Sequence, residues 1–162
     1  MEETAARIVP NILSLAGVDP SGGAGLLADI KTISALGGYA CGAVTALTVQ
    51  NTRGVSGVRI MSGDFVSAQM ESVLSDIRID AVKIGMLGNC EVIEAAAGIL
   101  RDHPVKHVVL DTILASTSGT PLLEPEAVGV LIRKLLPLCT VFTPNLPEAA
   151  ILLGDETPAD EG

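Results

Sequence analysis

Short runs of apolar residues alternate along the chain with longer stretches in which apolar side chains recur every three or four positions. The first pattern is typical of buried strands and the second of amphipathic helices. The predicted strands are residues 11–18, 43–49, 81–86, 107–110 and 140–143, with a further short one at 55–60. The predicted helices are residues 26–36, 64–77, 92–100, 125–136 and one that begins near Pro147.

Strands and helices that take turns in this way predict an α/β fold, with a mostly parallel sheet and helices on both faces. Of the 162 residues, 48% are hydrophobic and 18% are charged, which is enough apolar material to cover two faces of a sheet. Residues 1–154 would form the folded part. The acidic, turn-rich residues 155–162 would form a linker or a frayed end.

The charge and the cysteines narrow the class of protein. A net charge of −9 disfavours a nucleic-acid partner, because such binding depends on clustered Lys and Arg. Cys41, Cys90 and Cys139 are odd in number and lack CxxC spacing, so we expect small buried residues in a reducing, cytoplasmic compartment. No export signal is visible, and glycines interrupt the uncharged run 32–52, which favours a turn and a strand over a membrane helix.

A glycine-rich segment, residues 19–25, joins the first predicted strand to the first predicted helix. Its three glycines would let a ligand approach the backbone, and the start of the helix offers free N–H groups. An ordinary strand-to-helix turn is the alternative. Because the segment also contains Asp19 and Ser21, we interpret it as a binding loop.

The same segment contains the spacing G-x-G-x-x-A of a dinucleotide site, from Gly23 to Ala28. Such sites need an acidic residue after the second strand to bind the ribose, but here that strand ends in Gln50 and Asn51. A variant that binds NADP through Arg53 stays open. No Walker A loop occurs in the sequence.

Polar residues follow several of the other strands, where ligands of a parallel sheet bind. Asp111, Asn145 and Glu148 form a plausible set for a hydrated Mg²⁺ ion and nucleotide phosphates, because hard cations prefer oxygen ligands. Glu148 has a second interpretation. It could be a first-turn acid that the dipole of the last helix stabilises.

Taken together, these segments resemble the hydroxymethylpyrimidine/phosphomethylpyrimidine kinase family, a branch of the ribokinase-like fold. The resemblance covers nearly the whole chain in order and spacing. The matching residues are 16–25 (AGVDPSGGAG), 28–32 (ADIKT), 45–52 (TALTVQNT), 83–87 (KIGML), 109–111 (VLD) with Ser118 and Gly119, and 143–149 (TPNLPEA).

The resemblance implies ATP-dependent phosphorylation of 4-amino-5-hydroxymethyl-2-methylpyrimidine, and then of its monophosphate, for thiamine biosynthesis. The resemblance also implies a homodimer. From the charge and the glycines in the uncharged run 32–52, no nucleic-acid or membrane partner is expected. By matching position, the pyrimidine pocket would be lined by Asp19, Ala24, Gln50, Met86 and Ile113. An amide such as that of Gln50 can both donate to and accept from the ring nitrogen and the exocyclic amine.

The nucleotide side of the site follows from the same resemblance. Asp111, Asn145 and Glu148 would face ATP, and Asp111 and Glu148 would bind Mg²⁺ through water. Family members often carry a Lys where this chain has Thr117, so a cationic contribution near the phosphates is in doubt.

Family members also continue into a Gly-Thr-Gly loop, which serves as the anion hole, and a catalytic Cys or Asp base. Neither occurs in these 162 residues, and both would lie beyond Gly162. We therefore expect residues 1–154 to be the N-terminal part of a ribokinase-like domain whose C-terminal part is missing. No catalytic residue is assigned, and the segment alone is expected to be inactive. A non-catalytic pyrimidine-binding protein and an NAD(P)-binding domain remain as alternatives.

Overall fold

The computed structural model describes residues 9–115 and 121–154. Its strands are β1 (Asn11–Val18), β2 (Tyr39–Asn51), β3 (Gly54–Ile60), β4 (Ala81–Ile84), β5 (His107–Leu110) and β6 (Val141–Phe142). They form one six-stranded sheet in the order β3-β2-β1-β4-β5-β6. All neighbouring strands are parallel except β2 and β3, which are antiparallel. The prediction of a mostly parallel sheet is confirmed.

The helices are α1 (Gly25–Ala35), α2 (Gly63–Leu74), α3 (Cys90–Asp102), α4 (Pro125–Val130) and α5 (Leu146–Leu153). The predicted helix 125–136 is wrong beyond Val130, because the chain continues as a wider π turn at Leu131–Leu135 and a tighter 3₁₀ turn at Leu136–Leu138. Pro137 within the last turn has no N–H to continue an α-helical ladder.

Some predictions lie outside the described residues. They are those for Thr117, Ser118 and Gly119, and that of a linker or frayed end at residues 155–162. Gly162, beyond which the catalytic base and the anion hole are expected, is among them. The position of those two catalytic elements therefore stays a prediction.

Side chains of β1 alternate between the two faces of the sheet, as a strand requires. Leu13 and Leu15 belong to the main hydrophobic core, together with buried residues of α2, α3 and α4. Ser14, between them, donates a hydrogen bond from its hydroxyl to Asp29 of α1 at 2.6 Å. Thus α1 covers one face and α2 to α4 cover the other, as predicted.

β2 begins at Tyr39 rather than at residue 43, because the strand continues through Gly42 instead of starting after it. Gly42 lies inside the strand where α1 crosses it closely. A Cβ atom on Gly42 would lie 2.9 Å from Cδ1 of Leu26. In this strand the glycine marks a close approach between a helix and the sheet, which its absence of a side chain permits.

β4 ends at Ile84 rather than at residue 86, but the two residues after it stay attached to the sheet. Gly85 donates its N–H to the carbonyl of Leu15 at 2.8 Å. The carbonyl of Met86 accepts a hydrogen bond from the hydroxyl of Thr45, a residue that is fully buried. The chain after β4 is therefore fixed beside the carboxyl ends of β1 and β2.

The described part of the chain contains no helix that is both long and apolar enough to cross a membrane. Its three cysteines are free. Burial raises the pKa of the Cys41 thiol, and it raises the pKa of the Cys139 thiol to about 11. These two thiols therefore stay protonated at neutral pH, as expected for small structural residues.

The bond from Thr45 to Met86 leads to a stability prediction. The change Thr45→Val keeps the shape but removes the donor, so the buried carbonyl of Met86 loses that partner. We expect the free energy of unfolding to fall by about 1–3 kcal/mol, the usual cost of an unsatisfied buried group. Urea denaturation followed by circular dichroism measures this difference.

The matched control is Thr32→Val on the exposed surface of α1, which should change the free energy of unfolding by less than about 0.5 kcal/mol. Equal effects of the two changes would contradict the assigned role of Thr45.

Candidate functional site

A cavity of about 310 Å³ lies beyond the carboxyl ends of β1, β2, β4 and β5. Its size falls at the lower end of the range of about 300–1,000 Å³ for small-molecule sites. It is lined by Gly17, Asp19, Ala24, Gly25, Thr48, Gln50, Val55, Met86, Ile113, Ala115, Leu122, Asn145 and Glu148. The five residues predicted for the pyrimidine pocket are all brought together here, with two of the three predicted for the nucleotide.

Asp19 organises the loop between β1 and α1. One carboxylate oxygen accepts from the N–H and the hydroxyl of Ser21, both at 2.8 Å. The other accepts from the N–H groups of Gly23 at 3.1 Å and Ala24 at 3.0 Å. These bonds use both oxygens, so Asp19 shapes the cavity by holding the loop in place.

The pKa of Asp19 reflects two opposing effects. Burial of the side chain, which is 4% exposed, raises the pKa, while the hydrogen bonds from Ser21, Ala24 and Gly23 lower it. The hydrogen bonds outweigh burial, and the pKa lies below its ordinary value. The carboxylate is therefore ionised at neutral pH.

Gly25 is required where the loop enters α1. Its φ of +57° lies in the left-handed region, and a Cβ atom there would come 2.2 Å from the carbonyl oxygen of Gly17. Only glycine permits this approach between the helix start and the end of β1. Ala24, the N-cap of α1, makes no side-chain cap hydrogen bond, and the first turn of the helix has no acidic residue.

Gln50 places an amide at the end of β2, and Thr48 fixes where that amide lies. The hydroxyl oxygen of Thr48 is 2.9 Å from the carbonyl of Val18 and 3.1 Å from the amide oxygen of Gln50. The hydroxyl has one proton and can donate to only one of them. If it donates to Val18, the amide can turn and donate its NH₂ to Thr48.

The sequence analysis did not single out Thr48, although alternation along a strand places it on the same face as Gln50. Several further apolar residues that were not predicted also line the cavity. These residues are Val55, Ala115 and Leu122. Together with Met86 and Ile113 they make the walls of the cavity mostly apolar. Apolar walls with one amide are suited to a small, partly polar ring.

Asn145 and Glu148 form a capping box at the start of α5. The side-chain oxygen of Asn145 accepts from the N–H of Glu148 at 2.9 Å, and the carboxylate of Glu148 accepts from the N–H of Asn145 at 2.9 Å. Thr112 also donates its hydroxyl to this carboxylate, at 3.2 Å. Glu148 thus serves as the first-turn acid that one interpretation predicted, and it lines the cavity as well.

Asp111 does not line the cavity. Its carboxylate lies 3.4 Å from the ammonium nitrogen of Lys83, which also lies 3.1 Å from the carboxylate of Asp29. Sequence reasoning missed the role of Lys83. The signal was present, since Lys83 is the only charged residue in an otherwise apolar predicted strand.

Asp111 and Glu148 fit a magnesium ion only if the ion keeps most of its water molecules. In residues 9–115 and 121–154, no group of three or more His, Cys, Asp or Glu side chains is placed to hold a metal ion. Asp111 and Glu148 each already contact other groups of the protein. Mg²⁺ commonly keeps several waters and binds one or two carboxylates together with substrate phosphates, which these two residues could provide.

Comparison with known proteins gives a consistent result. The family model for phosphomethylpyrimidine kinase matches residues 19–161. The hydroxymethylpyrimidine/phosphomethylpyrimidine kinase of Escherichia coli (strain K12) is 55% identical over 143 residues, covering 88% of this chain and 54% of the relative. That of Rhizobium meliloti (strain 1021) is 52% identical over 149 residues, covering 92% and 56%. The chain thus spans about half the length of these relatives.

Solved structures agree with this result. The crystal structure of phosphomethylpyrimidine kinase from Clostridium difficile 630 has a TM-score of 0.84 and 43% identity, covering 91% of this chain and 64% of that one. The pyridoxal kinase from Staphylococcus aureus in complex with AMP-PCP and pyridoxal has a TM-score of 0.77 and 35% identity, covering 91% and 52%. The ribokinase-like fold is confirmed.

The hydrogen bonds of Asp19 lead to a prediction about stability and pH. Because the pKa of Asp19 is lowered in the folded state, its ionised carboxylate stabilises the fold at pH values above the ordinary pKa of 3.8. This stabilisation is lost as the pH falls through the folded-state pKa. The change Asp19→Asn places an NH₂ group opposite backbone donors, so we expect the free energy of unfolding at neutral pH to fall by about 1–3 kcal/mol.

The difference in stability between the wild type and Asp19→Asn should shrink as the pH is lowered below 3.8. Denaturation curves over a pH series measure it. Asp76→Asn, at an exposed position after α2, serves as the matched control and should give only a small difference. A difference for Asp19→Asn that stays constant with pH would refute the assignment.

Proposed function

The chain belongs to the phosphomethylpyrimidine kinase family, and from this membership we propose that its cavity binds the acceptor substrate of an ATP-dependent kinase. The proposed substrates are 4-amino-5-hydroxymethyl-2-methylpyrimidine and its monophosphate. The observation that supports this most directly is the cavity itself, which is lined by the amide of Gln50 and by the apolar side chains of Met86 and Ile113.

An aminopyrimidine needs both a donor and an acceptor at its polar edge, and apolar contacts on its ring faces. The amide of Gln50 offers both functions in one group. Met86, which is 6% exposed, and Ile113 supply the apolar surface. They follow β4 and β5, whereas Gln50 belongs to β2, and β1 lies between β2 and β4 in the sheet. Since these residues lie at or after the ends of different strands, the sheet brings them together in one site.

In the proposed reaction, the hydroxymethyl oxygen attacks the γ-phosphorus of ATP, the bond from that phosphorus to the ADP oxygen breaks, and the hydroxyl proton passes to a base. Phosphoryl transfer depends mainly on positioning and on stabilising charge. We assign the first of these tasks to the cavity. For the second, Asn145, Glu148 and Asp111 are the proposed residues near the nucleotide phosphates, and the base is not assigned.

A magnesium ion bound with the nucleotide would neutralise phosphate charge, and Asp111 and Glu148 would bind its water molecules. Both carboxylates are already oriented by protein contacts, Glu148 by the capping box and Asp111 by Lys83. The homodimer expected from the resemblance stays a prediction, which analytical ultracentrifugation checks.

The proposal predicts that calorimetry detects binding of the hydroxymethylpyrimidine, and that Gln50→Leu weakens it. Leucine is close to glutamine in size but cannot form hydrogen bonds. Each hydrogen bond contributes about 0.5–1.5 kcal/mol, so losing two should weaken binding by about tenfold or more. Thr52→Val, at an exposed position in the turn between β2 and β3, is the matched control and should bind normally.

Titrations with ATP and NAD in the same buffer, together with ³¹P NMR of a mixture containing the pyrimidine and ATP, separate the candidate functions. A phosphorylated pyrimidine identifies a kinase. Binding of the pyrimidine without turnover identifies a non-catalytic binding protein. Binding of NAD but not of the pyrimidine would overturn the proposal.

A further inference from the structure

Three charged side chains and one hydroxyl form a continuous series of contacts beside the cavity. The ammonium nitrogen of Lys83 lies 3.1 Å from the carboxylate of Asp29 and 3.4 Å from that of Asp111. The hydroxyl of Ser14 donates to the same oxygen of Asp29 at 2.6 Å. We call Asp29, Lys83 and Asp111 the ion triad.

The ion triad lies next to the wall of the cavity. Lys83 is on β4, and Gly85, on the same face two residues later, leaves room for the ammonium group. A Cβ atom on Gly85 would lie 3.2 Å from that nitrogen and 3.6 Å from Cδ1 of Ile113. Gly85 therefore lies between the ammonium group of Lys83 and Ile113, a residue that lines the cavity.

The two carboxylates of the ion triad are not equivalent. The Asp29 side chain is 18% exposed, makes the shorter contact with Lys83 and accepts a hydrogen bond from Ser14, which is fully buried. The Asp111 side chain is 43% exposed and makes the longer contact. Lys83 is thus held mainly by Asp29, and the more exposed carboxylate of Asp111 keeps a charge that Lys83 neutralises only partly.

We propose that Asp29 and Lys83 are positioning residues that set how strongly Asp111 attracts the hydrated divalent cation of the nucleotide complex. Asp29 draws the ammonium group away from Asp111 and so leaves that carboxylate available. The inference rests on the proposed function, in which Asp111 faces a metal-bound nucleotide. It adds two residues on β4 and α1 to which neither the resemblance nor the cavity assigns a role.

The charges determine the sign of each effect. With a neutral side chain at position 29, Lys83 has only Asp111 as a carboxylate partner in the ion triad. Lys83 then neutralises the charge of Asp111 more fully. With a neutral side chain at position 83, two carboxylates remain without their ammonium group, and the site becomes more negative. The two changes should therefore alter cation affinity in opposite directions.

The test measures binding of Mn²⁺, a paramagnetic substitute for Mg²⁺, to the purified protein in the presence of ADP by electron paramagnetic resonance. Asp29→Asn should weaken Mn²⁺ binding and Lys83→Met should strengthen it, each by about two- to fivefold, the effect of one partly exposed ion pair. Lys83→Arg keeps the charge and should bind as the wild type does.

A role in folding alone would lower stability in both variants without opposite changes in affinity, so thermal unfolding is measured alongside. If Lys83→Met does not fold, Lys83→Gln replaces it, and Asp29→Asn still tests the sign. Changes in the same direction, no change in either variant, or no binding of Mn²⁺ by the wild type with ADP would each overturn the inference. Calorimetry with the pyrimidine alone tests the proposed function separately, since Mn²⁺ is not part of that measurement.

Discussion

The hydrogen bonds that the Asp19 carboxylate accepts are the constraint on which the rest of the site depends. They close the loop from Ser21 to Ala24 and fix the point at which α1 begins. Gly25 can then approach the end of β1 to a distance that no other residue would permit. Without this acceptor, the N–H groups of Ser21, Gly23 and Ala24 would lose the partner that the carboxylate provides.

The general position of the site follows from the sequence because a parallel sheet imposes it. Gln50, Met86 and Ile113 lie far apart along the chain, but each lies at or just after the end of a predicted strand. Parallel strands end at the same edge, and the cavity is found at that edge. β1 and β5 were also predicted with the bounds that the structure has, since proline or charged residues stand directly before and after them.

The remaining details depend on tertiary contacts that local patterns do not show. The predicted strand 43–49 does not include Gly42, but this residue lies in β2, where Leu26 of α1 packs against it. Asp111 was predicted for the nucleotide side of the site, but the local pattern did not show that its carboxylate lies 3.4 Å from the ammonium group of Lys83. Nothing in the spacing of the sequence shows that Asp29 of α1 would reach the same ammonium group, because this depends on how α1 packs on β1 and β2.

α1 links the loop that lines the cavity to the ion triad. The start of α1 is fixed by the loop that Asp19 holds, and Asp29, one turn further along, binds Lys83 and is held by Ser14 of β1. A displacement of α1 along its axis would therefore disturb the floor of the cavity and the ion triad together. A rigid α1 that packs closely on Gly42 resists such a displacement, since side chains in a close-packed interior have little room to shift. The same packing of α1 thus maintains the geometry of the cavity and the arrangement of the ion triad, although the two involve different residues.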